Sequence, residues 1–253
     1  MSDQPHERAS PVNVLDRLWD HVYASQPAPP AWVVGVTALA ALLLVLNTAS
    51  WRLAGQVITI AHEGGHALVS VLSGRRLEGI RLHADSSGVT YSRGKRRGPG
   101  LVLTAAAGYV TPPLLGAGAA ALLAARHPAA LLWLALVLLA ATFLAVRNAF
   151  GALAVLVTAA GVFAVSYYAS AAVQAGFAYL AAWFLLLGGM RPAVELTRRR
   201  SGPRSGSRSG SRSGLSDADQ LARLTGVSRG VWVAAFLLIA TAALALGARL
   251  LIP

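Results

Sequence analysis

The sequence predicts an all-α polytopic membrane protein of about seven transmembrane helices, with a small β-hairpin after the second span. Three observations carry that prediction. The chain is 55% apolar and only 13% charged, with a mean hydropathy of +0.57. Its apolar residues fall in blocks of about twenty, the length a helix needs to cross a bilayer. Its 22 Lys and Arg outnumber 10 Asp and Glu, and the arginines gather just beyond those blocks. A formal charge of +12 would suggest nucleic acid as the partner of a soluble protein. At the ends of apolar spans it reads instead as membrane orientation and contact with anionic headgroups, so the expected partners are the lipid bilayer and a membrane protein substrate, with no nucleic acid. Cysteine is absent, which excludes disulfides, thiolate nucleophiles and Cys-ligated metals.

Residues 1–30 read as a cytosolic leader. Leu15, Asp16, Leu18 and Trp19 suit one or two amphipathic turns, which Pro27, Pro29 and Pro30 stop. No cleavable signal peptide is evident, so the first span is expected to be retained. Residues 31–197 form the predicted bundle. Its first span is Ala31 to Ser50, flanked by Trp32 and Trp51, and its second is Leu53 to Ser73. Residues 75–98 change character: partial alternation through Leu77, Ile80, Leu82, Val89 and Tyr91 around Ser86-Ser87-Gly88 predicts a hairpin, placed at the membrane surface. The third span, Gly100 to Ala125, holds Pro112 and Pro113 in its middle, which should kink it or split it into half-helices. Gly108, Gly116 and Gly118 let a neighbouring backbone approach. Further spans cover Ala130 to Val146, Ala149 to Ser166 and Ser170 to Met190. Residues 198–214 are a Gly/Ser/Arg linker expected to be disordered, and 215–253 comprise a short amphipathic helix and a last span from Gly230 to Leu251.

With seven spans, charge orients the chain. A cytosolic N-terminus leaves only Arg52, Arg126 and Arg249 outside, and makes residues 75–98 and 191–229 cytosolic in a multi-pass cell-membrane protein.

The chemistry concentrates in His62-Glu63-Gly64-Gly65-His66, inside the second span. Residues four apart share a helix face, so His62 and His66 present two imidazoles to one point, an arrangement suited to Zn2+. Glu63 projects beside them as a candidate general base, the catalytic residue of this reading. Ionisable groups in a span are expensive to bury and mark function, although a pair of helix histidines bonded to neighbouring helices is the structural alternative.

The chain resembles the site-2 protease family of intramembrane zinc metallopeptidases, and more narrowly its actinobacterial site-2-protease-like group. The residues that carry the resemblance are Ile60 to Ala67, Gly74-Arg75-Arg76, the hairpin Ile80 to Ser92, Ala107-Gly108-Tyr109, Arg147-Asn148 and Ser216 to Ala222. The resemblance implies a zinc site on membrane helices, water-dependent cleavage of a substrate helix, and a substrate- or oxyanion-contacting role for Asn148. On the residues alone, Asn148 reads as a helix N-cap. The family usually draws its third ligand from an Asp-Gly motif on a later span, but spans three to six contain no Asp or Glu. That leaves the N-terminal acids, Glu78, Asp85, Glu195, Asp217 and Asp219. Glu195 has the default of a surface pair with Arg191 or Arg198, and Asp85 with His83 that of a surface polar pair. Asp217 is the foremost candidate, because in a helix starting after Ser216 it shares a face with Leu221 and Leu224; Asp219 and Asp85 are the fallbacks. Equally physical is a capping box between Ser216 and Asp219, with Asp217 merely favouring the helix N-terminus. Two functions stand at this point: a zinc-dependent intramembrane endopeptidase, or a catalytically inactive relative acting as a transporter, metal carrier or scaffold.

Overall fold

A computed structural model describes residues 25–198 and 216–252. The amphipathic turns expected in the leader lie outside the described residues, as does the linker beyond Arg198. The described chain is mostly helical, with one two-stranded antiparallel sheet.

Helix α1 spans Ala31–Leu46 and α2 spans Thr48–Leu72. Between them Asn47 leaves the helical conformation, and its Oδ1 accepts from the amides of Ala49 and Ser50 at 2.8 and 3.2 Å. An N-cap in the middle of an apolar stretch starts a new helix in a new direction, here bent by 102°. Gly74, at φ +69°, ends α2 in the left-handed conformation that glycine adopts without strain. Strands β1 (Arg76–Leu82) and β2 (Gly88–Arg93) follow, with a bulge between Leu77 and Gly79. Asp85 Oδ1 accepts from the amide and hydroxyl of Ser87 and so closes the turn.

The hairpin folds back along α2. Gln56 Nε2 donates to His83 O at 2.9 Å, Thr59 Oγ1 to Ser86 O at 2.9 Å, and Thr90 reaches Glu63. Positions 56, 59 and 63 share one helix face, which is why α2 holds the hairpin along its length. On the other side, Ile80 and Leu82 are fully buried with Ile60, Ala67, Ala145, Val146 and Val155.

Helices α3 (Pro99–Ala124), α4 (Pro128–Ala145), α5 (Ala149–Tyr168), α6 (Ala171–Arg198), α7 (Asp217–Thr225) and α8 (Arg229–Leu251) complete the chain. Pro112 and Pro113 do not split α3, which runs as one helix. They withdraw the donors that the carbonyls of Gly108 and Tyr109 would otherwise have. The helix is supported there by α6, where a Cβ on Gly189 would come within 2.8 Å of Pro113 Cδ.

The expected count of seven spans is not reproduced. Among the described residues α3, α4, α5, α6 and α8 are each long and apolar enough to cross a membrane, and α1 with α2 make a sixth if counted as one broken span. Charged and polar side chains in α2 and the 16-residue length of α1 are the physical reason. Helices α3 and α6 run antiparallel through the centre of the bundle, so Ala105 packs with Leu196 at one end and Leu123 with Tyr179 towards the other.

Candidate metal centre

Three elements converge on one point. The period of α2 places His62 and His66 on its buried side, with Glu63 one step round the helix. From α3, Gly108 comes so close that a Cβ there would overlap the Nε2 atoms of both histidines. From α7, Asp217 Oδ2 lies 3.1 Å from His62 Nε2 and 3.1 Å from His66 Nε2, and the two nitrogens are 3.2 Å apart. Among the described residues these are the three side chains grouped closely enough to hold a metal.

Tautomers sharpen the picture. His66 Nδ1 lies 2.6 Å from the carbonyl oxygen of Thr104. A carbonyl only accepts, so Nδ1 carries the proton and the neutral ring turns the lone pair of Nε2 towards Asp217. A hydrogen bond of this kind behind an imidazole orients it and raises its basicity as a ligand. With His62 likewise unprotonated at Nε2, lone pairs of two nitrogens and a carboxylate oxygen would meet, and such a group requires a cation or a shared proton between its members. Tetrahedral zinc at about 2.0–2.1 Å from each donor separates the donors by roughly 3.3 Å. The observed 3.1–3.2 Å edges, and a donor set of two imidazoles and one carboxylate, therefore fit zinc.

Asp217 is placed by docking. The buried residues Ala218 and Leu221 of α7 pack with Ala105, Ala193, Leu196, Val233 and Phe236. Without a metal, a proton at the histidine Nε2 atoms fills the place between the three donors. Burial would raise the Asp217 carboxyl, but the charge of protonated His66 and the hydrogen bonds from His66 and His62 outweigh it and hold the group well below the usual carboxylate range. The capping box is present too. Ser216 Oγ accepts from the Asp219 amide at 3.3 Å, and Asp219 Oδ2 accepts from the Ser216 amide at 3.1 Å. The capping box and the approach of Asp217 to the histidines are compatible, because the box uses Asp219 and leaves Asp217 facing α2.

The fallback ligands are elsewhere. Asp219 also pairs with Arg229 at 3.1 Å, and Asp85 is spent on its own turn. Glu195 pairs with Arg191 at 3.3 Å, as its spacing suggests. Asn148 sits at the N-terminus of α5 without capping it. Its Oδ1 accepts from Leu82 N at 3.1 Å and its Nδ2 donates to Leu82 O at 2.8 Å, so its amide is engaged along the edge of β1.

Glu63 is buried, and Thr90 Oγ1 donates to its Oε2 at 2.6 Å. A Cβ on Gly88 would come within 2.8 Å of Glu63 Oε1, so the hairpin meets one carboxylate oxygen with the Thr90 hydroxyl and leaves room beside the other with a glycine. Tyr109 packs edge-on against His62, 4.9 Å between centroids, and stacks on Phe236 of α8 at 5.0 Å. Sequence reasoning missed Thr90, Gly88 and Thr104. The contact of Thr104 is made by its backbone, which leaves no trace in residue type, and the other two act across 27 and 25 positions of chain.

A helical bundle that gathers two imidazoles, a carboxylate and a buried glutamate has the make-up of a membrane metallopeptidase. The Peptidase M50B-like family matches residues 35–247, and the chain belongs to that family. No curated protein and no solved structure matches it significantly.

Proposed function

We propose that this protein is a zinc-dependent intramembrane endopeptidase that cleaves membrane-embedded or membrane-proximal protein segments. The observation that supports this most is the triangle of His62, His66 and Asp217, whose edges suit zinc, with Glu63 adjacent on the same helix. His62 Nε2, His66 Nε2 and Asp217 Oδ2 would hold the ion. Zinc, when bound, supplies Lewis acidity, which eases deprotonation of water and polarises a carbonyl.

The remaining work falls to the chain. The Glu63 carboxylate takes the proton of the attacking water and passes it to the leaving amine nitrogen, a general base turned general acid. Thr90 fixes Oε2, which leaves Oε1 for that exchange. Thr104 orients His66, and Tyr109 holds His62 edge-on. The hairpin and α7 screen the site from bulk water, which strengthens every charge interaction in it.

Metal content and cleavage test the reading together. The purified wild type should carry one zinc per chain and cut fluorescein-labelled casein in detergent. Glu63→Gln should keep the zinc and lose about 100-fold or more of the turnover, the scale of a general base. Zinc retained after both histidines are changed to Ala would reject the site. Cleavage unaffected by Glu63→Gln would reject the chemistry and favour a non-enzymatic metal protein on the same scaffold.

A further inference from the structure

The packing of α1 bears on which face of the membrane each end of the chain occupies. At its start, α1 lies beside the start of α6: Val33 Cγ1 is 4.0 Å from the position a Cβ would take on Gly176. At its end, Arg191 of α6 donates to the carbonyl of Val45, and the Arg191 guanidinium lies 4.5 Å from the ring centre of Trp51. Helices α1 and α6 therefore run parallel over about 20 Å. Just before α1, Gln26 N donates to Arg126 O at 2.9 Å, in the turn between α3 and α4.

Helix α2 continues away from that end. Ile58 packs on Gly188, His66 on Thr104, and Ser73 on Gly100 at the N-terminus of α3. Since α3 starts where α2 stops and finishes beside Gln26, α1 and α2 together traverse the bundle once. The corner at Asn47 is a break within one traverse, not the turn between two. Alternation then runs through α3, α4, α5, α6 and α8. Helix α8 begins beside Leu196, whose carbonyl accepts from Arg229 Nη2 at 2.7 Å, and ends with Leu251 packed near Leu123 and Val34.

We infer that the chain crosses the membrane six times, with residues 25–30 and the C-terminus on one face and the candidate metal centre, the hairpin base and α7 towards the other. Charge is compatible with this arrangement and does not choose it. Six crossings leave Arg8, Arg17, Arg126 and Arg249 on the less basic face, against Arg52, Arg126 and Arg249 in the seven-span count. The leader itself is net acidic, with Asp3, Glu7, Asp16 and Asp20 against Arg8 and Arg17, and so lacks the positive bias of a cytosolic flank. The exposed ring cluster of Phe163, Tyr167 and Tyr168 at the end of α5, and exposed Trp32 at the start of α1, supply an aromatic belt at this same face. The consequence is functional. Anything that recognises the leader does so across the membrane from the face on which the site and the basic surface lie.

Because the chain contains no cysteine, single thiols report directly. Ser25→Cys, Lys95→Cys and Ile252→Cys place them at exposed positions. In intact cells a membrane-impermeant maleimide should label Ser25→Cys and Ile252→Cys, and Lys95→Cys only after the membrane is opened. Thiols at 25 and 95 that react from the same face, or thiols at 25 and 252 that react from opposite faces, would overturn the inference. The readout needs neither metal nor activity, so it stands apart from the proposed peptidase chemistry.

Discussion

Helices α2 and α7 each contribute to the triad, but they are built on different principles. In α2 the two histidines are four residues apart on a 25-residue helix, so their convergence follows from helical period alone. Helix α7 has nine residues, too few to be stable alone in water, and its Asp217 reaches the site through burial of Ala218 and Leu221 and the Ser216–Asp219 capping box. One half of the site is therefore written in local geometry, and the other depends on tertiary docking. Donors of the first kind should be lost only by changing them, whereas the second kind should also be lost by changing what docks it.

The largest expected effect is at the donors. His66→Ala should abolish tight zinc binding, and Asp217→Ala should weaken it ten-fold or more, on the scale of lost coordination contacts. Equilibrium titration against a zinc chelator measures both. Full affinity in Asp217→Ala and Asp217→Asn would reduce Asp217 to a helix-terminus charge and dissolve the comparison.

Next is the docking itself. Leu221 is fully buried and four residues from Asp217, with no part in the triad. Leu221→Ala should cost about 2–5 kcal/mol of packing, the range for a buried leucine. It should also weaken zinc binding through α7, while a similar truncation on the exposed side, Leu68→Ala on α2, should leave affinity unchanged. Thermal unfolding with and without zinc separates the two. Equal loss of affinity from both would show that α7 is no more dependent on docking than α2.

Thr90 tests a contact of similar kind on the other side of the site. Thr90→Val should lower kcat about ten-fold with KM and zinc content unchanged, and Thr90→Ser should restore it, because only the hydroxyl holds Glu63. A fall in zinc content would instead make Thr90 part of the scaffold. Smallest is the cap: Ser216→Ala should cost about 0.5–2 kcal/mol, seen as a lower Tm, and should shift zinc affinity less than Leu221→Ala.

Much of this molecule is legible without coordinates. The apolar blocks announce membrane helices, the alternation before and after Ser86-Ser87-Gly88 announces the hairpin, and the spacing of His62 and His66 announces that the two imidazoles meet on one helix face. Each of these depends on residues within a turn or a strand of one another, and local covalent geometry sets their relation. The acid that completes the triad could be narrowed by elimination to a few residues, and the amphipathic stripe of α7 favoured Asp217. Its convergence with the histidines, 151 positions away, needed the packing of α7 on α3 and α8. Thr90, Gly88 and the carbonyl of Thr104 belong to the same kind: their contacts are made across elements, where residue type does not say which neighbour is met.

The span count shows the limit most plainly. Hydropathy counts apolar residues and charge counts arginines, and six or seven crossings satisfy those totals almost equally well. The direction of α1 was decided by contacts that neither quantity records: Val33 beside Gly176, Arg191 on the carbonyl of Val45, and Gln26 on that of Arg126. Composition and periodicity determined what each segment is, because those properties are local. Where each segment lies relative to the others was decided by the tertiary structure, because close packing selects neighbours by shape and by the few polar groups that must be paired.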